Sequence, residues 1–211
     1  MLRVTAAHSE AQFEQTFAIF EGHVRLTEPR IAPAADADLD TEQAALLQPY
    51  RNERGLLNIY RTLARQPRAA KAFLGWGRYV LRESDFDARL RELAILRTGW
   101  LCKSGYEWTQ HSRLARQLGF SNSDIERIKA GAHAPGWSPL EMLVLQAADE
   151  LHETHHITDA TWQELRQRLS EKHLMDLVFT VGHYTQVCMI LNAFGIQVED
   201  GQSLDDSLRA Q

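Results

Sequence analysis

The segment LCKSGYEWTQH, residues 101–111, carries a carboxylate and an imidazole one helical turn apart. Glu107 and His111 are four residues apart, so on a helix they share a face with Ser104. A buried carboxylate beside an imidazole shifts the pKa of each group, which is the arrangement that general acid–base catalysis uses near neutral pH. The same spacing also arises by chance, and then the pair is only a structural ion pair.

A second carboxylate, Glu92, lies in the preceding stretch RELAILRTGW. We expect Glu92 to fold back towards His111 if Gly99 or Gly105 lets the chain bend between the two stretches. Three aromatic residues are available to keep such a site dry: Trp100, Tyr106 and Trp108. The sequence therefore predicts a catalytic cluster of Glu92, Glu107 and His111.

The segment RELAILRTGWLCKSGYEWTQH resembles the carboxymuconolactone decarboxylase family, the all-helical group that also holds the alkylhydroperoxidase D proteins. The resemblance covers roughly residues 45–200. The family's peroxidase branch carries a Glu, then a CxxC motif, then a His four residues after the second Cys. Counting back from His111, Glu92 lies at the Glu position, whereas Ser104 and Glu107 occupy the two Cys positions. The resemblance thus implies a branch that lacks the CxxC motif.

This resemblance implies a small-molecule enzyme with decarboxylase- or lactone-type chemistry, as in the degradation of aromatic compounds. By that analogy, His111 is the proton donor or an electrostatic partner, Glu107 sets its tautomer and charge, and Glu92 relays protons or holds the helix pair. An anionic lactone also needs positive charge nearby. The nearest candidates in the sequence are Arg97, Lys103 and Arg113.

Two other functions stay open. Peroxide reduction needs a thiolate and a resolving thiol, and neither Ser104 nor Glu107 supplies one. Cys102 lies two residues before the first Cys position of the motif, which Ser104 occupies. On a helix, this offset turns its side chain by roughly 200° away from that position. One alternative is a thiol-dependent peroxidase that acts through Cys102, and a bridge from Cys102 to Cys188 also stays open. The other is a non-catalytic helical oligomer, in which the cluster is a structural ion-pair network.

The segment DELHETHHITD offers a rival site, because Glu153 and His156 have the Glu-x-x-His spacing of carboxylate-bridged metal sites. Such a site needs a second matching motif, which the sequence lacks, so we predict neither a metal nor a cofactor. His183, Tyr184 and Asn192 could reach the pocket from the C-terminal half, although packing or capping roles are equally open.

The pattern of apolar residues, caps and breakers predicts an all-α fold, namely an alkylhydroperoxidase D-like helical bundle. Residues 1–28 are predicted to be a helical N-terminal extension with Phe13, Phe17 and Phe20 on one face. Residues 29–211 are predicted to form the carboxymuconolactone decarboxylase-like domain.

Several helix boundaries follow from local signals. Pro67 should divide one apolar stretch into two helices, and Ser84 or Asp85 is a plausible N-cap for the next helix. Gly119 and Gly131 should end helices. The long apolar stretch near the C-terminus predicts a central buried helix.

Two segments resemble each other: LRELAIL, residues 90–96, and LMDLVFT, residues 174–180. Each is followed by a glycine and then by more helical sequence. This similarity predicts an internal duplication of a helical hairpin.

The composition excludes several classes of partner. The net charge of −5 and the lack of a basic stripe argue against nucleic acid. No apolar run approaches the roughly 18 residues of a membrane span, and the N-terminus lacks the apolar centre of a secretory signal. With only two cysteines, we expect a cytoplasmic protein with reduced thiols. Its expected partners are a small-molecule substrate and further copies of itself.

Overall fold

The computed structural model describes residues 26–51, 53 and 55–208. Within these ranges the chain folds into helices without a β-strand, as the sequence predicts. Short 3-10 helices lie at Asp36–Asp38, Gln48–Tyr50 and Asp206–Leu208. The α-helices are α1 (Thr41–Leu47), α2 (Asn58–Leu63), α3 (Pro67–Arg78), α4 (Ala88–Leu101), α5 (Gly105–Gln117), α6 (Asn122–Ala130), α7 (Pro139–Thr154), α8 (Asp159–Arg166) and α9 (Glu171–Phe194).

Most helix boundaries lie where the local signals predict them. Pro67 occupies the first turn of α3 and separates it from α2. Ser121 caps α6 by accepting a hydrogen bond from the backbone N–H of Asp124. Gly131 ends the same helix with φ 79°, a left-handed conformation that glycine adopts without a steric penalty.

The predicted cap of α4 is wrong. The N-cap is Asp87, whose side chain accepts from the backbone N–H of Leu90 at 2.9 Å. A π-helical turn, Tyr79–Glu83, prolongs α3, and Ser84 is the residue that ends this turn. Because Ser84 belongs to the end of one helix, the start of the next moves to Asp87.

The centre of the fold is α4, which packs against α5, α7 and α9. Four consecutive residues of α4, at 93–96, have no solvent exposure. A helix that is buried on all sides needs no polar face, so α4 lacks the amphipathic pattern of a surface helix.

The long C-terminal helix α9 also packs into the core, against α4 and α7. By length and composition alone it could cross a membrane. However, 56% of its most apolar 18-residue window is buried within the fold. The sequence prediction of a central buried helix here is confirmed.

The predicted duplication of a helical hairpin needs correction. The first segment, 90–96, is followed by a helix end at Leu101 and a new helix at Gly105. The second, 174–180, lies in α9, which continues through Gly182 without a break. Glycine in a helix interior weakens a helix without ending it when packing holds the rest. The two segments therefore share a helix–helix contact and do not form two equivalent hairpins.

The predicted N-terminal helix with Phe13, Phe17 and Phe20 lies outside the described residues. The chain just after it packs on the end of α9. The backbone N–H groups of Arg30 and Ile31 both donate to the carbonyl of Phe194, at 2.9 and 3.3 Å. The division of the chain near residue 29 stays a prediction.

Candidate active site

A tight turn between α4 and α5 brings Glu92 to His111. The bend is formed by residues 102–104, with Lys103 in the left-handed conformation at φ 52°. The predicted bend at Gly99 or Gly105 is therefore wrong, since both glycines are helical. A non-glycine residue in this conformation is uncommon, and the packing of α4 on α5 holds it there.

The three predicted site residues meet in the interior. The Nδ1 atom of His111 lies 2.7 Å from Oε2 of Glu92, and Nε2 lies 3.0 Å from Oε1 of Glu107. Their exposed fractions are 2% for Glu92, 4% for Glu107 and 7% for His111. The contact to Glu92 is a hydrogen bond. The contact to Glu107 has an ion-pair distance, but the ring N–H does not point at the oxygen well enough for a hydrogen bond.

This arrangement fixes the charge of His111. Burial by itself lowers the pKa of an imidazole, because it disfavours the charged form. The negative charges of Glu92 and Glu107 outweigh burial and raise the pKa of His111 from 6.5 to about 10. His111 is therefore an imidazolium at neutral pH, and it can donate a proton.

His111 and Glu107 lie on the wall of a half-open groove with a cavity volume of about 1790 Å³. The edge of the His111 ring meets Tyr184 at 5.0 Å between ring centroids. Glu92 lies behind His111 and does not line the groove. Further lining residues come from α2, α3 and α9, among them Tyr60, Phe73, Gly77, His183 and Tyr184.

The cations of the groove are mostly different from those that the sequence suggested. Arg97 is buried, and it binds Asp149 and the carbonyls of Ile128 and Lys129, so it is structural. Lys103 is exposed on the α4–α5 turn. Of the three candidates, only Arg113 lines the groove, and sequence reasoning missed Arg78 and Arg82, which line it as well.

The two cysteines are neighbours. The Cys102 thiol, at the end of α4, lies beside the buried Cys188 thiol of α9, and this neighbour lowers the pKa of Cys102. Burial raises the pKa of Cys188 well above its ordinary value. Cys102 Sγ also lies 3.8 Å from Nδ1 of His152. Asn192 donates to the carbonyl of Cys102 at 2.9 Å and so ties α9 to α4.

The cluster around Glu153 and His156 is exposed at the end of α7. His155 forms the C-cap there with φ 59°. In the part of the chain that the structure describes, no group of three or more His, Cys, Asp or Glu side chains could hold a metal ion.

The helical fold is that of the alkylhydroperoxidase D-like proteins. The chain is similar to an uncharacterized peroxidase-related protein with an alkylhydroperoxidase AhpD core from Ralstonia eutropha JMP134 (TM-score 0.72, 16% identity, 82% of this chain and 93% of that chain). It is also similar to an uncharacterized peroxidase-related protein from Silicibacter sp. TM1040 (TM-score 0.70, 16% identity, 84% and 98%). A third similar structure is the debrominase Bmp8 in complex with 2,3,4-tribromopyrrole (TM-score 0.67, 15% identity, 82% and 94%).

At these identities the structural likeness shows the fold. The sequence adds a match over part of the chain, since residues 67–150 match the model of the Carboxymuconolactone decarboxylase family. This match contains Glu92, Glu107 and His111, and it confirms the family resemblance. No curated protein matches the chain.

Proposed function

We propose that this chain is a small-molecule enzyme of decarboxylase or lactone type, in which Glu92, Glu107 and His111 carry the acid–base chemistry. The observation that supports it best is a buried histidine between two carboxylates on the wall of a groove. Burying charged groups is costly even when they are paired. A purely structural core at this position would be at least as stable with apolar side chains.

In this proposal, each member of the cluster has a distinct role. Glu92 accepts a hydrogen bond from Nδ1–H of His111, which holds the ring and stabilises its charge. The Nε2 edge faces Glu107 and the groove. The hydrogen-bond geometry thus favours Glu92, rather than Glu107, as the residue that sets the orientation of the ring.

The chemistry requires one proton from the enzyme. When a carboxylate leaves as CO2, the C–C bond breaks and its electron pair remains on the carbon that carried it, delocalised as an enolate. His111 then donates the Nε2 proton to that carbon and recovers a proton from water in the groove. Arg82 and Arg113 line the groove and supply positive charge for an anionic substrate.

The test is CO2 release from a panel of small carboxylated lactones in D2O. We expect turnover with one solvent deuterium in the product, and we expect His111→Asn to reduce kcat at least about a hundredfold, as for loss of a general acid. His173→Asn is the matched control, because His173 also pairs with a carboxylate, Asp85 at 3.3 Å. Equal turnover by the His111→Asn and His173→Asn variants would contradict the proposal.

A second candidate function is a thiol-dependent peroxidase, and the contact between Cys102 and Cys188 favours it. The Cys102 thiolate would attack a hydroperoxide, breaking the O–O bond, releasing an alcohol and forming a sulfenic acid. The Cys188 thiol would then form a disulfide with the loss of water, and an external dithiol would reduce it. Hydroperoxide consumption that disappears in Cys102→Ser but persists in His111→Asn would support this function over the first.

We also propose that the protein is a cytoplasmic homo-oligomer. Two large apolar side chains on α9, Met175 and Met189, are 55% and 63% exposed. Both side chains would be covered if α9 packed against a second copy of the chain. A monomeric mass in light scattering at micromolar concentration would contradict this part of the proposal.

A further inference from the structure

His183 is a second histidine beside the groove, and it has an unusual environment. It belongs to α9 and is 6% exposed. Its ring contacts Phe73 of α3 at 4.8 Å and Tyr184 at 5.3 Å between centroids. It lines the same groove as His111 and Glu107.

Neither ring nitrogen of His183 has a hydrogen-bond partner among the residues that the structure describes. Nδ1 is fully enclosed and unpaired, and no bond is made by Nε2. Burial alone lowers the pKa of His183 to about 4, so the ring is neutral at physiological pH. Buried polar groups are almost always paired in proteins, because an unpaired one loses its hydration without compensation. Nδ1 is enclosed by the protein, so Nε2 is the nitrogen of this groove-lining residue that a ligand could pair with.

Gly77 packs closely against the Nε2 edge of the ring. A Cβ atom at this position would lie 2.9 Å from Nε2 of His183, which is closer than real Cβ contacts allow. Gly75 lies two residues earlier on the same helix, turned by roughly 200° around its axis, and a Cβ there would meet nothing within 4 Å. The position of the His183 ring beside the groove thus depends on the absence of a side chain at residue 77.

We propose that Nε2 of His183 accepts a hydrogen bond from the hydroxyl group of a ring-shaped, phenol-like ligand, which lies in the groove against Phe73 and Tyr60. A neutral imidazole is a good acceptor for a phenolic O–H, and aromatic side chains favour a planar ring. This inference names the substrate class of the proposed function, namely hydroxylated ring acids, and rests on that function.

The experiment measures binding without turnover, using phenol as the probe and anisole as its matched control. Anisole has the same ring but cannot donate a hydrogen bond. In long-range 1H–15N spectra, phenol should shift the His183 ring signals of the full-length protein. We expect phenol to bind about ten times more tightly than anisole, the effect of roughly one hydrogen bond. Equal binding of the two probes, or unshifted His183 signals, would overturn the inference.

Substitutions at His183 and Gly77, with Gly75→Ala as the control, test whether the preference for phenol arises at Nε2 of His183. His183→Phe should remove the preference for phenol over anisole while leaving anisole binding unchanged. Gly77→Ala should weaken phenol binding several-fold because its methyl group displaces the His183 ring, whereas Gly75→Ala should not. If His183→Phe does not fold, the two glycine variants still test the inference, and equal phenol binding by both would overturn it. Failure to release CO2 from any carboxylated substrate would overturn the proposed function while leaving phenol binding as measured.

Discussion

Two buried histidines, His111 and His183, contact the same tyrosine, yet at neutral pH the first ring is charged and the second is neutral. His111 and His183 both meet Tyr184 edge-on, at 5.0 and 5.3 Å, and both are more than nine-tenths buried. Two carboxylates raise the pKa of His111 to about 10, whereas burial without a charged partner lowers that of His183 to about 4. Burial alone keeps an imidazole neutral, and carboxylate partners at its nitrogens reverse that effect. One groove wall thus holds a charged imidazole and a neutral imidazole, both in contact with Tyr184.

The largest expected effect comes from removing a partner of the charged ring. Glu92→Ala leaves the His111 imidazolium with one carboxylate, so the free energy of unfolding should fall by about 3 to 5 kcal/mol, as for a broken buried ion pair. Chemical denaturation at pH 7 measures this. A loss below about 1 kcal/mol would mean that the pair is not formed in solution.

The two histidines should also shape stability as a function of pH. The native pKa of His111 is above its unfolded value, so its contribution is complete below about pH 6.5 and is lost as the pH rises towards 10. The native pKa of His183 is below its unfolded value, so stability falls as the pH decreases from about 6.5 towards 4. Denaturation between pH 4 and 10 should show the free energy of unfolding falling at both ends of the range. Each fall should be on the order of a few kcal/mol in total.

Each slope can be assigned with a variant. The acid slope should diminish in His183→Phe, and the alkaline slope should diminish in His111→Leu. An acid slope that is unchanged in His183→Phe would show that other groups cause it.

A smaller effect is expected from His183→Phe at pH 7. The substitution removes a buried imidazole whose Nδ1 is enclosed and unpaired, and it keeps a ring of similar size. Stability should therefore rise by about 1 to 2 kcal/mol, in contrast to the loss in Glu92→Ala. Thermal unfolding checks the sign. Destabilisation here would indicate that His183 has a partner in solution and would weaken the comparison.

The smallest expected effect is the difference in stability between two alanine substitutions on α3, at Gly75 and Gly77. Gly75→Ala should stabilise the protein by up to about 1 kcal/mol, because alanine favours a helix and the site is open. Gly77→Ala gains the same propensity, but its methyl group must displace His183. Its net effect should be smaller or negative. Equal stabilisation by both variants would show that His183 moves freely.

The sequence predicts the surroundings of the charged His111 better than those of the neutral His183. Glu107 and His111 are one helical turn apart, so their proximity is a local property. Glu92 reaches His111 only if the chain turns between the two helices, and the family resemblance predicts that turn. The residue that adopts the left-handed conformation there is Lys103 instead of a glycine. Local sequence rules favour glycine in that role, and tertiary packing overrides them here.

The rest of the groove depends on contacts between distant helices. Tyr60, Phe73 and Arg82 reach the site because α2 and α3 pack beside α9, and no local pattern indicates that arrangement. The cap of α4 was misplaced for a similar reason, since the π-helical turn before Ser84 has no signature in the sequence. Local spacing therefore predicts the pair of Glu107 and His111, the family resemblance adds Glu92, and the shape and chemistry of the groove follow only from the structure.

The most direct test of the account is an NMR titration of the histidine rings from pH 4 to 11, with His111→Asn and His183→Phe used for assignment. We predict that His111 remains protonated up to about pH 10 and that His183 stays neutral down to about pH 4. If His111 instead titrates near 6.5, the paired carboxylates do not hold a charged ring, and the proposed proton donor is contradicted.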